Sequence, residues 1–192
     1  LEIVSSNSIN IIKCKFIKNR NKILNGGVLY IHDETNVLES INLEGILFDS
    51  CIGSSYRTLS IELKDYKFDQ FKISNITIQN ISTGSSIYGI NVDTNVLFDH
   101  WKFENNQYGN EYGNSYGSYL IPSQHIIFNR CEWIRNYCSD NGGAFGGALY
   151  NRINDNKISL LKMKSISFDK CKFIQNSCLG NGGALYLDMA LD

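Results

Sequence analysis

An all-β fold, a parallel β-helix of about six coils, is what this sequence predicts, and three observations carry that expectation. The 192 residues include 25 Ile and 23 Asn beside 16 Gly and a single Pro, a composition of strand and turn formers. Apolar residues alternate with polar ones over short stretches, as in Ile166, Phe168 and then Cys171, Phe173, the mark of strands with one buried face. The same two segments also return in constant order along the chain, the signature of a repeat architecture.

The first segment reads Ile11-Ile-Lys-Cys14-Lys-Phe16-Ile-Lys-Asn19 and recurs as Phe98 to Asn106, Phe128 to Asn136 and Phe168 to Asn176. Weaker copies start at Phe48-Asp49-Ser50-Cys51 and Phe68-Asp69-Gln70-Phe71, so the anchors Cys14, Cys51, Phe71, Trp101, Cys131 and Cys171 are spaced by 37, 20, 30, 30 and 40 residues. The second segment is Gly26-Gly-Val-Leu-Tyr30, Gly146-Gly-Ala-Leu-Tyr150 and Gly182-Gly-Ala-Leu-Tyr186, with degenerate forms at Leu59, Ile87 and Tyr119. Helices are rejected, because apolar residues do not fall at i, i+3, i+4 and i+7, and each Gly within a helix costs about 1 kcal/mol against Ala.

A unit of about 30 residues with strands of four to six cannot bury its apolar face alone, so the copies must stack. Each coil then supplies one strand to each of two or three sheets, and six coils at ~4.8 Å make a rod of roughly 29 Å. Matching side chains fall into columns: the six anchors inside, Asn19, Asn106, Asn136 and Asn176 as an amide ladder at a corner. A β-sandwich leaves the constant order of residue types unexplained. Residues 1–192 form one domain, and a start at Leu1 makes a fragment of a longer solenoid the expectation.

With 18 Lys and Arg against 19 Asp and Glu, the net charge is -1 and no basic stripe exists, which argues against nucleic acid as a partner. No apolar run approaches the roughly 18 residues that span a bilayer.

The pairing of Phe-x-x-Asn with Gly-Gly-Ala-[Ile/Leu/Val] resembles the repeat of the polymorphic outer membrane protein family. Phe16…Asn19, Phe103…Asn106 and Phe173…Asn176 carry the first element, Trp133…Asn136 with Trp for Phe, and Gly26, Gly146 and Gly182 open the second. The resemblance implies a right-handed β-helix on a cell surface with adhesion as its role and no catalytic residues. The hand of parallel crossovers points the same way.

Six cysteines follow the repeat, Cys131 and Cys138 seven apart like Cys171 and Cys178. In-register stacking puts Cys138 over Cys178 within the Cα range of roughly 4.4–6.8 Å that a disulfide needs. Cys131/Cys171 and Cys14/Cys51 have the same spacing, either bridged or as buried thiols that behave as small hydrophobes. The seven-residue gaps and three His do not suit zinc. Asn75-Ile-Thr77 and Asn80-Ile-Ser82 match the glycosylation pattern, as chance alone would supply in so Asn-rich a chain. Together with the pairing of Cys138 and Cys178 they favour an extracellular or cell-surface setting.

Asp49, Asp69, Asp99, Asn129 and Asp169 each lie two residues before an anchor. Stacked carboxylates repel, so the column is either a calcium ladder or a set of corner residues bonding the backbone locally, and the corner reading is preferred. Parallel β-helices also carry polysaccharide lyases and hydrolases, for which Asp99 with Asp69 satisfies the carboxylate separation of roughly 5–9.5 Å. His32, His100 and His125, however, fall in different columns, which weakens an enzyme. Tyr108, Tyr112, Tyr116 and Tyr119 lie in a Gly-rich loop, either a protein or glycan contact or an insertion packed on its own coil. The Gly-Gly pairs lack the Lys of a phosphate loop and read as turns. The expectation is a non-catalytic extracellular stalk or structural module without cofactor, meeting a protein, a glycan or neighbouring copies. A filament segment and a carbohydrate-active enzyme are the alternatives.

Overall fold

The computed structural model describes residues 1–4, 6–20, 28–33, 37–52, 57–63, 70–83, 85–88, 96–108, 125–139, 165–180 and 182–184. All regular structure among them is strand, and it falls into six successive units. The first holds β1 (Glu2–Val4), β2 (Ser8–Ile12) and β3 (Lys15–Ile17); the second β4 (Leu29–Asp33), β5 (Ser40–Glu44) and β6 (Leu47–Asp49). The third holds β7 (Arg57–Leu63), β8 (Gln70–Ser74), β9 (Thr77–Gln79) and β10 (Ser82–Thr83); the fourth β11 (Ser85–Tyr88), β12 (Val96–Asp99), β13 (Lys102–Glu104) and β14 (Gln107–Tyr108). The fifth has β15 (His125–Asn129), β16 (Glu132–Ile134) and β17 (Tyr137–Cys138), and the sixth β18 (Ser165–Asp169), β19 (Lys172–Ile174) and β20 (Ser177–Cys178).

Equivalent strands pair from unit to unit, always in parallel. They build four sheets, ordered β1-β4-β7-β11, β2-β5-β8-β12-β15-β18, β3-β6-β9-β13-β16-β19 and β10-β14-β17-β20. Four sheets replace the two or three expected, because a short strand after the second corner pairs with its counterparts in a sheet of its own.

Alternation decides which residues face in. Ile11, Leu43, Ile73, Phe98, Phe128 and Phe168 are successive partners in one six-stranded sheet, and Phe16, Phe48, Ile78, Phe103, Trp133 and Phe173 in the other. The rings stack nearly flat: Phe98 on Phe128 at 4.7 Å and 11°, Trp133 on Phe173 at 4.7 Å and 4°. Burying each such ring contributes about 2–3 kcal/mol. In the β1–β11 sheet Leu29, Leu59 and Ile87 form a single file, as expected, while Tyr119, Leu149 and Leu185 of that expected file lie outside the described residues.

Two corners recur in every unit, each a left-handed residue followed by an inward-facing one. Lys13, Gly45, Asn75, His100, Arg130 and Lys170 have positive φ at the first corner, and Lys18, Ser50, Asn80, Asn105, Arg135 and Gln175 at the second. For residues with a Cβ this conformation costs roughly 1–2 kcal/mol. Hydrogen bonds offset it by running the ladder round each bend. Lys13 N–H donates to the Glu44 carbonyl at 2.8 Å, and Leu47 N–H donates to the Cys14 carbonyl at 3.0 Å, with equivalents in later units.

The register corrects the expected anchor column. Cys14, Ile46, Ile76, Trp101, Cys131 and Cys171 share the first corner, as their backbone bonds to the next unit show. Cys51 belongs to the second corner, following Asn19, since Ile52 N–H donates to the Asn19 carbonyl at 2.8 Å. Phe71 pairs with Ile41 inside a strand. The true anchor spacings are 32, 30, 25, 30 and 40 residues, more even at the start of the chain than the expected 37 and 20.

Candidate functional site

Two bands of polar side chains run across the units, one at each corner. At the second corner the amides act as clamps. Asn106 Oδ1 accepts the N–H of Ile81, the equivalent corner residue one unit earlier, at 3.0 Å, and its Nδ2 donates to the Ile78 carbonyl at 2.9 Å. Asn136 repeats both bonds, to Asn106 N–H at 3.1 Å and the Phe103 carbonyl at 3.0 Å. Asn176 accepts from Asn136 N–H at 2.9 Å and donates to the Trp133 carbonyl at 2.8 Å. This gives Phe-x-x-Asn a physical meaning: the aromatic ring stacks inside, and three residues later the amide satisfies two backbone groups that the bend leaves over. Asn19, in the first unit, is exposed.

At the first corner other donors reach the same carbonyl, three residues before the counterpart in the preceding unit. Trp101 Nε1 donates to Ile73 at 3.2 Å, Cys131 Sγ to Phe98 at 3.3 Å and Cys171 Sγ to Phe128 at 3.4 Å. Burial pushes the Cys131 thiol up to about 12, and burial also raises Cys171. Neither is a ready nucleophile, because the thiolate is the reactive form.

The expected calcium column breaks apart. Asp49 sits at the end of β6, at the second corner, whereas Asp99 and Asp169 end β12 and β18 at the first. Asp69 lies outside the described residues. Asp99 and Asp169 are two units apart with Asn129 between them in register. Asn129 Nδ2 donates to Asp99 Oδ1 at 2.7 Å, so a neutral amide relieves the repulsion of stacked carboxylates. Asp49 Oδ1 accepts from Asn80 Nδ2 at 2.9 Å and Ser50 Oγ at 3.0 Å, and the Asn80 bond leads in holding its carboxyl below the usual range. Among the described residues no group of three His, Cys, Asp or Glu side chains is placed to hold a metal.

Of the pair suggested for glycosidic cleavage, Asp69 lies outside the described residues, and Asp99 is bonded by Asn129 and by His100 Nδ1 at 3.0 Å. Tyr108 lies in β14, and Tyr112, Tyr116 and Tyr119 lie outside the described residues. Asn75 and Asn80 are exposed left-handed residues before inward Ile76 and Ile81. The bend thus writes the glycosylation pattern itself, because Asn tolerates positive φ and Ser or Thr suits the strand that follows. All six cysteines are thiols. Cys14 and Cys51 cannot pair across adjacent units, because they occupy different corners; Cys131 and Cys171 do share a corner, and Cys138 and Cys178 are register partners.

What the pattern of strands did not single out are the charged pairs that link neighbouring units outside. Lys72 meets Glu44 at 2.8 Å and Lys172 meets Glu132 at 2.7 Å, while Glu104 holds Arg135 and, within its own unit, Lys102 at 2.6 Å. The Lys102 hydrogen bond comes first among the causes that lower the Glu104 carboxyl. Glu132 and Lys172 are register partners, whereas Lys72 and Arg135 reach Glu44 and Glu104 from offset positions, so these pairs are visible only once the register is known. Comparison with family models, with curated proteins and with solved structures finds no match to this chain.

Proposed function

We propose that the chain is a right-handed parallel β-helix of about six coils and works as a non-catalytic module of an extracellular or cell-surface protein, an adhesin-like stalk or spacer. One observation carries this reading: six units of unequal length keep one unbroken parallel register through two six-stranded sheets. Such stacking makes a stiff body whose units contact only their neighbours, suited to holding loops away from a surface. The outward side chains support the same use. They are tied unit to unit, as in Asn42 Nδ2 to Asn10 Oδ1 at 2.9 Å, and so present a fixed polar face to a protein or glycan. The family resemblance in Phe-x-x-Asn and Gly-Gly-Ala-[Ile/Leu/Val] favours the same setting.

Protease treatment of intact source cells, followed by immunoblotting for this chain, tests the assignment. Loss of the signal before lysis supports it, and full protection until lysis overturns it. Electron microscopy of the same material distinguishes single rods from end-to-end filaments.

A further inference from the structure

We propose that Cys138 and Cys178 form an oxidation-dependent staple between units five and six, while Cys131 and Cys171, which join the same two units at the first corner, stay as a dithiol. Cys138 and Cys178 are direct partners of β17 and β20. Parallel partners lie ~4.8 Å apart and send their side chains to the same side, within the roughly 4.4–6.8 Å that a disulfide tolerates. The corner pair has a comparable backbone spacing, since Lys172 N–H donates to the Cys131 carbonyl at 2.9 Å.

The Cys131 and Cys171 side chains also hydrogen-bond each other, so what separates the two pairs is the other partner each sulfur holds. Cys131 and Cys171 each donate S–H to a carbonyl of the preceding unit, Phe98 and Phe128, the role that Trp101 fills for Ile73. Bridging them would take these donors away from the Phe98 and Phe128 carbonyls. Burial pushes Cys131 up to about 12 and raises Cys171; Cys138 is fully buried as well, so an oxidant must enter its pair through Cys178. Cys178 is half-buried and donates to Gly180 in the exposed turn after β20 at 3.1 Å, where an incoming disulfide can reach it.

The step balances by exchange with a small disulfide such as glutathione disulfide. Cys178 thiolate attacks one of its sulfurs, forming a mixed disulfide and expelling one glutathione. Cys138 thiolate then attacks Cys178 Sγ, closing the bridge and expelling the second. Two protein thiols are oxidised, one disulfide is reduced to two thiols, and the protein's two protons end on the released glutathiones. The bridge closes over residues 139–177 and so ties unit six to the rest.

The test is to incubate the whole chain with glutathione disulfide, alkylate it with N-ethylmaleimide, digest it without reduction and map the peptides by mass spectrometry. The expected map links Cys138 to Cys178 and finds the alkyl group on Cys131 and Cys171. A Cys131–Cys171 link, or alkylation of Cys138 and Cys178 after oxidant treatment, overturns the proposal. Oxidation should also raise the thermal midpoint by on the order of 5–10 °C, reversibly with dithiothreitol, in the native chain and in Cys131→Ser, but not in Cys178→Ser. The peptide map uses the unaltered chain, so it decides the matter even where a variant fails to fold.

Discussion

Cys51 Sγ donates to the Phe16 carbonyl at 3.1 Å, the bond that Asn136 Nδ2 makes to Phe103 at 3.0 Å. A thiol therefore stands in for an amide at the second corner, supplying the donor without the acceptor. Replacing Cys51 by Asn is expected to hold or raise stability, while Cys51→Val removes the donor from a buried site and costs about 1 kcal/mol. Urea denaturation of the two variants checks the order, and a Val variant as stable as the native chain would show that the bond is idle.

Asn136 bonds Asn106 N–H and the Phe103 carbonyl at a fully buried position. Asn136→Ala leaves both backbone groups unmet and is expected to cost about 3 kcal/mol. Asn19, exposed in the first unit, serves as the control, and Asn19→Ala is expected to change stability by under about 0.5 kcal/mol. Equal losses at the two sites in denaturant titrations would contradict the clamp.

Lys170 holds φ at 52° with its side chain exposed and its ammonium 3.9 Å from Asp169, an ion pair of little worth in water. Asn relaxes into the left-handed region more readily than Lys, so Lys170→Asn should stabilise by a few tenths of a kcal/mol, roughly, whereas Lys170→Val should cost about 1–2 kcal/mol. Thermal midpoints of both variants give the test; a Val variant as stable as Asn would remove strain from the account of the corners.

Asp49 and Glu104 have folded carboxyl values lowered from their ordinary 3.8 and 4.5. A lowered folded value means that the unfolded chain takes up protons first. Their contributions are therefore fully present above about pH 5 and are lost as pH falls through the lowered values. Urea midpoints at pH 7, 4 and 3 should drop on the acid side, and less steeply in an Asp49→Asn, Glu104→Gln double variant. An unchanged acid slope would mean that neither carboxylate is linked to folding.

Much of this architecture could be read from the residues alone, since alternation and repetition fix the strands, the parallel stacking and the Asn ladder at Asn106, Asn136 and Asn176. The error at Cys51 and Phe71 has a physical origin. Both corners of a unit obey one local rule, an inward residue, two outward ones of which the second is left-handed, then another inward residue. Phe48-Asp49-Ser50-Cys51 satisfies that rule at the second corner as well as Phe98-Asp99-His100-Trp101 does at the first. Only the pairing of whole strands tells them apart. Ile46 and Ile76 escaped notice as anchors because they lack the Cys or Trp that marks the corner elsewhere. The left-handed residues were hidden by their chemical variety, from Lys13 to Gln175, for a bend held by the ladder on both sides imposes its φ on whatever side chain is there.

The central claim is that the units stack in one register, and a spin-label distance measures it most directly. Lys15 in β3 and Lys172 in β19 are exposed and stand at opposite ends of the same six-stranded sheet, at equivalent positions. With ketone-bearing amino acids at both sites carrying the labels, so that the thiols are untouched, the account predicts one narrow distribution centred near 24 Å before allowance for the tethers. A distribution centred beyond about 35 Å, or one spread without a peak, would contradict it.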